Sequence, residues 1–176
     1  SDVVEQGTGG LLVNAEKTRD LPISAWQTQN IACVAVSDTT RALGDLAAFH
    51  RARTDVALIA ITGSNGKTTT RQMTAAVVAR KFNTLSTIGN YNNQIGVPLT
   101  LLRLAPGHSW AVVELGTNRP GEIARLAQIC SPDIGVITNI GPAHLEGLGS
   151  LDGVMHEKGQ LIEHLKAKGK AVLNAD

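Results

Sequence analysis

An apolar segment that leads directly into a glycine-containing loop restricts the fold of this chain most. The segment VALIAIT (56–62) is apolar on both faces, as is typical of a central strand in a parallel sheet. The loop GSNGKTTT follows it, and residues 67–81 show a helical pattern. The predicted buried side of this helix consists of Met73, Ala76, Val77 and Val78. A strand that passes through a short loop into a helix predicts an α/β fold.

Strands and helices alternate along the rest of the chain. Further strands are predicted at 83–87, 110–115, 134–140 and 170–176, and further helices at 97–104, 120–130 and 151–168. Such alternation requires crossover connections, and it predicts a mostly parallel sheet with helices on both faces. We expect residues 53–176 to form the first part of this larger domain.

The beginning of the chain predicts a smaller unit. Residues 9–13 and 31–36 are short apolar runs of the kind that form strands, and Ser37 or Asp38 can cap the helix that follows. The predicted apolar stripe of that helix consists of Leu43, Leu46, Ala47 and Phe49. Residues 1–52 are therefore expected to be the end of a small α/β N-terminal domain.

Composition excludes several classes of function. The 176 residues carry a formal net charge of +1, and only 3% are aromatic. The charge gives no basic field, and stacking platforms for bases are scarce, which argues against nucleic-acid binding. No run of 18 apolar residues occurs, which argues against membrane insertion. Cys33 and Cys130 lack metal-ligand spacing, so we expect two buried thiols and a cytoplasmic protein.

The glycine-containing loop departs from the general phosphate-binding pattern, in which four residues separate the first Gly from Gly-Lys-[Ser/Thr]. Counting back from Gly66 places that first glycine at position 61, which is Ile61, and the nearest earlier glycine is Gly63. Two glycines still allow N–H groups to converge on phosphate oxygens at a helix N-terminus. Lys67 would then reach the β and γ phosphates, and Thr68 could ligate Mg²⁺. The alternative is a plain strand-turn-helix connection.

Three further polar stretches follow predicted strands: GNYNNQIG, ELGTNRPGE and NIGPAHLEG. In an open parallel sheet, ligands bind at the carboxyl ends of the strands. Glu114 ends a strand, where a carboxylate is suited to hold Mg²⁺ or to orient water. His144 follows the next strand. Asn90, Asn92 and Asn93 suggest ligand recognition, although turn residues of this type are also common.

Taken together, these stretches resemble the ATP-dependent Mur ligases, which build the peptide of bacterial peptidoglycan, and their folate-ligase relatives. The phosphate loop of that family reads T-G-x-N-G-K-[ST], and TGSNGKT (62–68) matches it in full. The resemblance implies a P-loop NTPase-like central domain. It also implies a reaction in which ATP phosphorylates a carboxylate and an amine then attacks the acyl phosphate.

Within the family, three stretches most resemble the members that join D-alanyl-D-alanine to UDP-N-acetylmuramoyl-tripeptide. These are TIGNYNNQIGVPLTLLRL (87–104), AVVELGTNRPGEI (111–123) and AHLEGLGSLDGV (143–154). The resemblance therefore implies these two substrates and a monomeric full-length enzyme. Other Mur ligases, folylpolyglutamate synthase, cyanophycin synthetase and a non-catalytic nucleotide-binding module remain alternatives. A P-loop kinase or GTPase fits less well, because no Asn-Lys-x-Asp occurs.

The resemblance also implies roles for individual residues. The residues that would bind ATP are Gly63, Ser64, Asn65, Gly66, Lys67, Thr68, Thr69 and Asn90. Those near the muramoyl-peptide are Asn92 and Asn93. The first Mg²⁺ would lie between Thr68 and Glu114, and the second near His144. Lys67, Glu114, His144 and Lys158 are the implied catalytic residues.

Lys158 carries a special implication. Many Mur ligases have a lysine at this place that has reacted with CO₂, and the carbamate is an anion that can approach the second Mg²⁺. The surrounding sequence HEKGQ (156–160) departs from the family, which has small residues before the lysine and Gly-Glu after it. His156 and Glu157 are larger and polar, and Gln160 replaces an acid. An ordinary solvated lysine is the alternative.

The family has three domains, and the resemblance implies that this chain holds only part of two. We expect it to begin inside the UDP-binding domain, to end within the central ATP-binding domain and to lack the domain that brings in the amine. On this expectation the 176 residues alone have little or no ligase activity.

Overall fold

The computed structural model describes residues 7–175. Residues 1–6 of the predicted N-terminal unit and Asp176 of the predicted last strand lie outside the described residues. Contacts divide the chain into two compact units, one ending at Leu43 and one beginning at Gly44. The division falls inside a helix, Thr39–Ala52, whereas the sequence suggested a boundary at the end of that helix.

The first unit contains two parallel strands, β1 (Gly10–Asn14) and β2 (Ala32–Val36). A 3-10 helix (Ala15–Asp20) and the short helix α1 (Ile23–Thr28) connect them. Both connecting helices were missed by sequence reasoning because neither shows a sustained apolar period. Helix α2 (Thr39–Ala52) follows β2, and the Asp38 carboxylate accepts hydrogen bonds from Thr40 N and Arg41 N as the predicted cap.

The second unit is built on a five-stranded, fully parallel sheet in the order β4-β5-β3-β6-β7. The strands are β3 (Ala57–Thr62), β4 (Thr84–Ser86), β5 (Trp110–Glu114), β6 (Ile134–Ile137) and β7 (Lys170–Leu173). The helices are α3 (Lys67–Val78), α4 (Gly96–Leu101), α5 (Glu122–Cys130), α6 (Leu145–Leu148) and α7 (Leu151–Glu163). The predicted α/β class with a mostly parallel sheet is confirmed.

Helices cover both faces of this sheet, as alternation along the central strand β3 shows. Leu58 and Ala60 belong to one apolar cluster with residues of α4, α5 and α7. Ile59 and Ile61 point the other way, into a second cluster against which α3 packs with Ala75 and Val78. The strand is therefore buried on both faces, as its sequence predicted.

Several predictions about helix faces were wrong. Met73 and Val77 of α3 are 65% and 71% exposed, and Ala76 is exposed as well. The helix packs through Ala75 and Val78 and buries Arg71, which sequence hydrophobicity does not rank as a core residue. On α2, Leu46 and Phe49 are exposed, whereas Ala47 is buried.

Two further details differ from the sequence prediction. Helix α7 ends at Glu163, five residues before the predicted end at 168, and the single-turn helix α6 was not predicted.

The Cys130 thiol is buried as expected, and burial raises its pKa to about 12, whereas Cys33 is only half-buried. Among residues 7–175, no helix is both long and apolar enough to cross a membrane.

Candidate active site

A cavity of about 330 Å³ opens where β3 and β5 end. The first turn of α3, the loop before α4, the loop before α5 and the buried side of α7 surround it. Its lining residues are Lys67, Thr68, Asn92, Asn93, Gln94, Glu114, Gly116, Thr117, Asn118, Glu122, His144 and Lys158. All four residues predicted to be catalytic therefore lie around one cavity at the predicted edge of the sheet.

The loop from Gly63 to Gly66 connects β3 to α3 through two residues with positive φ. Gly63 has φ +148°, and a Cβ at that position would lie 1.9 Å from Thr138 Oγ1. Gly66 has φ +76° and precedes the first residue of α3. Because the first N–H groups of a helix have no intrahelical acceptor, this end of α3 offers donors to an anion.

Lys67 is folded back onto its own loop. Its Nζ donates to Gly63 O at 2.8 Å and to Ser64 O at 3.2 Å. Burial lowers the pKa of Lys67, while the charge of Glu114 acts in the opposite direction. The amine is thus held beside the cavity by two carbonyl groups, which an incoming anion could replace as partners.

The Glu114 carboxylate is the central acceptor of the site and is only 1% exposed. Its Oε1 accepts hydrogen bonds from Thr68 Oγ1 at 3.2 Å and from Asn92 Nδ2 at 2.9 Å. Its Oε2 accepts from Arg71 Nε at 3.3 Å. The structure therefore brings together Thr68, Asn92 and Glu114, which the sequence placed on three separate loops.

Arg71 is the residue of this network that sequence reasoning missed. Besides the ion pair with Glu114, its guanidinium donates to Ser86 Oγ, at the end of β4, and to Thr87 O, just after that strand. An arginine on a helix is usually solvated, and for that reason its side chain was not considered. The available signal was its position three residues after Thr68, which places both on one helix face.

Lys158 lies on α7 and is 1% exposed, so the ordinary solvated lysine is not what the structure shows. Burial, together with the charge of Lys67, lowers the pKa of Lys158 to about 8, although Glu157 acts in the opposite direction. Within residues 7–175, no hydrogen bond or ion pair involves its Nζ. Lys158 therefore presents an unpaired amine to the cavity.

Glu157, next to Lys158, bonds through its carboxylate to groups at the start of α5. Oε1 accepts from Ile123 N at 2.7 Å and from Thr117 Oγ1 at 3.1 Å, and Oε2 accepts from Gly121 N at 2.7 Å. It therefore caps the N-terminus of α5, a favourable place for a negative charge. This gives a structural reason for the larger acidic residue in HEKGQ.

The remaining predicted residues occupy less central places. His144 is exposed, immediately precedes α6 with φ +56° and lines the cavity. Asn93 lines the cavity too, but its Oδ1 accepts from Ile95 N and Gly96 N at the start of α4. The side chains of Asn90 and Thr69 are exposed, and neither residue is among those lining the cavity.

Among the described residues, no group of three or more His, Cys, Asp or Glu side chains is arranged to hold a metal ion. Thr68 and Glu114 nevertheless place a hydroxyl and a carboxylate oxygen side by side. Such a pair suits a cation whose other ligands come from phosphate and water.

A comparison of the sequence with models of known protein families finds a match that includes this site. The model of the Mur ligase middle domain matches residues 61–176, a stretch that begins in β3 and contains the whole cavity. The chain belongs to the Mur ligase family. The loop with the shortened glycine spacing lies within this matched stretch.

Among curated Mur ligases, the chain is similar to two enzymes named UDP-N-acetylmuramoyl-tripeptide--D-alanyl-D-alanine ligase. The Escherichia coli enzyme is 45% identical over 170 residues, which are 97% of this chain and 35% of that protein. The Haemophilus influenzae enzyme is 42% identical over 177 residues, or 98% of this chain and 37% of that protein. The chain therefore spans about a third of the length of the relatives it matches.

Solved Mur ligase structures agree with the fold. MurF from Acinetobacter baumannii superimposes with a TM-score of 0.83 at 40% identity, covering 94% of this chain and 34% of that one. MurF from Thermotoga maritima, solved in complex with ADP, gives a TM-score of 0.81 at 29% identity, covering 96% and 44%. The parallel sheet and its flanking helices are those of the Mur ligase central domain.

Proposed function

We propose that the protein containing this chain is a cytoplasmic, monomeric, ATP-dependent ligase that joins D-alanyl-D-alanine to UDP-N-acetylmuramoyl-tripeptide. The names of the E. coli and H. influenzae relatives support this choice of substrates. The observation that carries the proposal is the hydrogen-bonded trio of Thr68, Asn92 and Glu114, which lies beside Lys67 in one cavity. Three separate motifs of the family meet there.

The proposed ATP site is the loop at the start of α3. Lys67 would exchange its two carbonyl partners for the β and γ phosphate oxygens, and the N-terminus of α3 would supply N–H donors. The T. maritima MurF was solved in complex with ADP, which supports adenine-nucleotide binding by the protein proposed here. Ser64, Asn65, Thr69 and Asn90 are assigned to the same site by resemblance.

Mg²⁺ fits the residues at the cavity. Thr68 and Glu114 would hold the first ion with oxygen ligands, and His144 would contribute to the second. When bound, Mg²⁺ would neutralise the negative charge of the transferring phosphoryl group. Arg71 donates to Oε2 of Glu114 and thereby fixes the direction of that carboxylate.

Carbamylation of Lys158 is part of the proposal. A neutral amine is needed for its nitrogen to bond to the carbon of CO₂ while a proton leaves to solvent. Burial of Lys158 lowers the pKa of its amine from 10.5 to about 8, which makes the neutral form a larger minority near pH 7 than in an ordinary lysine. Electron density that ends at a bare amine, in crystals grown with bicarbonate, would contradict this part of the proposal.

Acyl transfer in this site would depend on positioning and charge. The substrate carboxylate would take the γ-phosphoryl group, and the amine of D-alanyl-D-alanine would displace phosphate through a tetrahedral intermediate. Lys67 would hold the phosphate oxygens, and Asn92 and Asn93 would face the muramoyl-peptide from the loop before α4. No covalent bond to a protein nucleophile is required.

Domain roles follow from the same proposal. Residues 53–176 would be the first part of the ATP-binding domain, and residues 1–52 the end of the domain on the UDP-sugar side. The match of the middle-domain model to residues 61–176 supports the first assignment.

The test is ADP release by the full-length protein that contains this chain. We expect release that requires both UDP-N-acetylmuramoyl-tripeptide and D-alanyl-D-alanine. Glutamate in place of D-alanyl-D-alanine serves as the control amine. Release that is supported by glutamate and not by D-alanyl-D-alanine would show a different ligase, and release that needs no amine would contradict the ligase proposal.

A further inference from the structure

The phosphate loop is held from outside by the residues that follow β6. Asn139 accepts hydrogen bonds from two loop amides, from Ser64 N through its backbone oxygen at 3.0 Å and from Asn65 N through Oδ1 at 2.9 Å. Its Nδ2 donates back to Asn65 O at 3.2 Å. One side chain therefore binds both the N–H and the C=O of Asn65.

A second contact reinforces this arrangement. Thr138 Oγ1 donates to the same Asn65 carbonyl at 2.6 Å. The Ser64 hydroxyl donates to Gly141 O at 2.8 Å and accepts from Gly141 N at 2.9 Å. The loop is thus bonded on its outer side along 138–141, the segment that leads to His144.

These contacts limit which amides are left for a ligand. The N–H groups of Ser64 and Asn65 already have acceptors on Asn139. Donors for phosphate must then come from Gly66 and from the first residues of α3, whose N–H groups have no intrahelical acceptor. The direction of these donors depends on the Asn65 peptide group immediately before Gly66.

We propose that Asn139 is a positioning residue for nucleotide phosphate, acting through the backbone of Asn65. An amide side chain carries its acceptor and its donor on two separate atoms, which matches the two bonds that Asn139 makes to Asn65 N and Asn65 O. Aspartate keeps the acceptor but has no donor for Asn65 O, and alanine keeps neither. The inference rests on the proposed function, because it takes the loop to be the phosphate site.

Calorimetric titration of the 176-residue chain with Mg·ATP, and separately with tripolyphosphate, tests the inference. Tripolyphosphate reports on the phosphate site alone, without any contribution from adenine. Asn139→Ala should weaken both ligands about tenfold, the effect of losing a positioning hydrogen bond to a polar group. Asn83→Ala is the control, because the Asn83 side chain donates to Gly107 O at an exposed turn and, among residues 7–175, makes no other side-chain hydrogen bond. It should change neither affinity.

The readouts separate positioning from a loss of folding. Circular dichroism establishes that each variant is folded at the titration temperature. The ³¹P chemical shifts of bound ATP should differ between the Asn139→Ala variant and the wild type and stay constant in the Asn83→Ala variant. If Asn139→Ala does not fold, Thr138→Val removes one bond to Asn65 O and should weaken both ligands by a smaller factor.

The outcomes are distinct. Weaker binding with shifted ³¹P signals supports the inference. If the wild type binds both ligands and Asn139→Ala changes neither affinity by more than about twofold, with unchanged ³¹P signals, the inference is overturned and the proposed function stands. A wild-type chain that binds neither ligand overturns the proposed phosphate site itself and the inference with it.

Discussion

Arg71 and Glu114 form a buried ion pair at the base of the cavity, with Nε 3.3 Å from Oε2. Their side chains are 7% and 2% exposed. The carboxylate that would face a cation is therefore fixed by an arginine from the helix that begins after Gly66. Removing the arginine would leave a buried charge without its partner, which is costly.

Arg71→Met should lower the free energy of unfolding by about 3 kcal/mol or more. Urea denaturation measures the change. The control is Asp45→Asn, which breaks the exposed pair with Arg125 and should cost less than about 1 kcal/mol. Equal effects of the two variants would show that the Arg71–Glu114 pair contributes no more than a surface contact.

Glu157→Ala should destabilise the start of α5. The change leaves the N–H groups of Gly121 and Ile123 without their Glu157 acceptor, whereas the Thr117 hydroxyl can still donate to Arg119 O. We expect a loss of about 2–4 kcal/mol and faster hydrogen exchange at the two amides. Glu163→Ala on the same helix removes an exposed carboxylate bonded to Gln160 and is the matched control. Unchanged exchange in the Glu157 variant would contradict the capping role.

Gly63→Ala and Gly66→Ala should differ in their effects although both positions have positive φ. A Cβ at Gly63 would collide with the Thr138 side chain, whereas a Cβ at Gly66 meets nothing within 4 Å. Gly63→Ala should therefore displace the loop and abolish binding of Mg·ATP. Gly66→Ala carries only the backbone strain, about 1–2 kcal/mol, so binding should survive in weakened form. Titration that finds the reverse order would contradict the loop geometry.

Asp133 should make stability depend on acidic pH. Burial raises the pKa of its carboxyl, but hydrogen bonds from Lys166 and Leu58 N and the charges of Lys166 and Arg51 outweigh burial and lower it below its ordinary value. The stabilisation is present above the unfolded pKa, about 3.9, and is lost as pH falls through the lower folded pKa.

Asp133→Asn should therefore unfold at lower urea concentration than the wild type at pH 7, and the two midpoints should converge below about pH 4. Asp45→Asn again provides the comparison with an exposed carboxylate. A gap between Asp133→Asn and the wild type that stays constant from pH 7 to pH 3 would show that the Asp133 charge does not stabilise the fold.

The sheet and the cavity could be predicted because their signals are local. β3 is apolar on both faces, and the polar residues follow the strands directly, so the parallel topology alone brings Lys67, Glu114 and His144 to one edge. Lys158 lies on a helix, so this rule does not apply to it. Its place at the site was predicted only through resemblance, since nothing in HEKGQ indicates a buried amine.

Helix faces and supporting contacts could not be predicted because they depend on distant partners. Met73 and Val77 are exposed, whereas Arg71 is buried. Arg71 is buried because it pairs with Glu114, which lies 43 positions away in the sequence. Likewise, Asn139 contacts Asn65 across 74 positions. No period within one helix or loop reports such pairings.

The most direct test of the phosphate site is calorimetric titration of this chain with Mg·ATP in the wild type and in Lys67→Ala. Lys166→Ala is the control, because that lysine pairs with Asp133 and does not line the cavity. The site geometry predicts one bound nucleotide, affinity at least about tenfold weaker in Lys67→Ala and no change in Lys166→Ala. Equal affinity of the wild type and Lys67→Ala would contradict the assignment of the loop to phosphate.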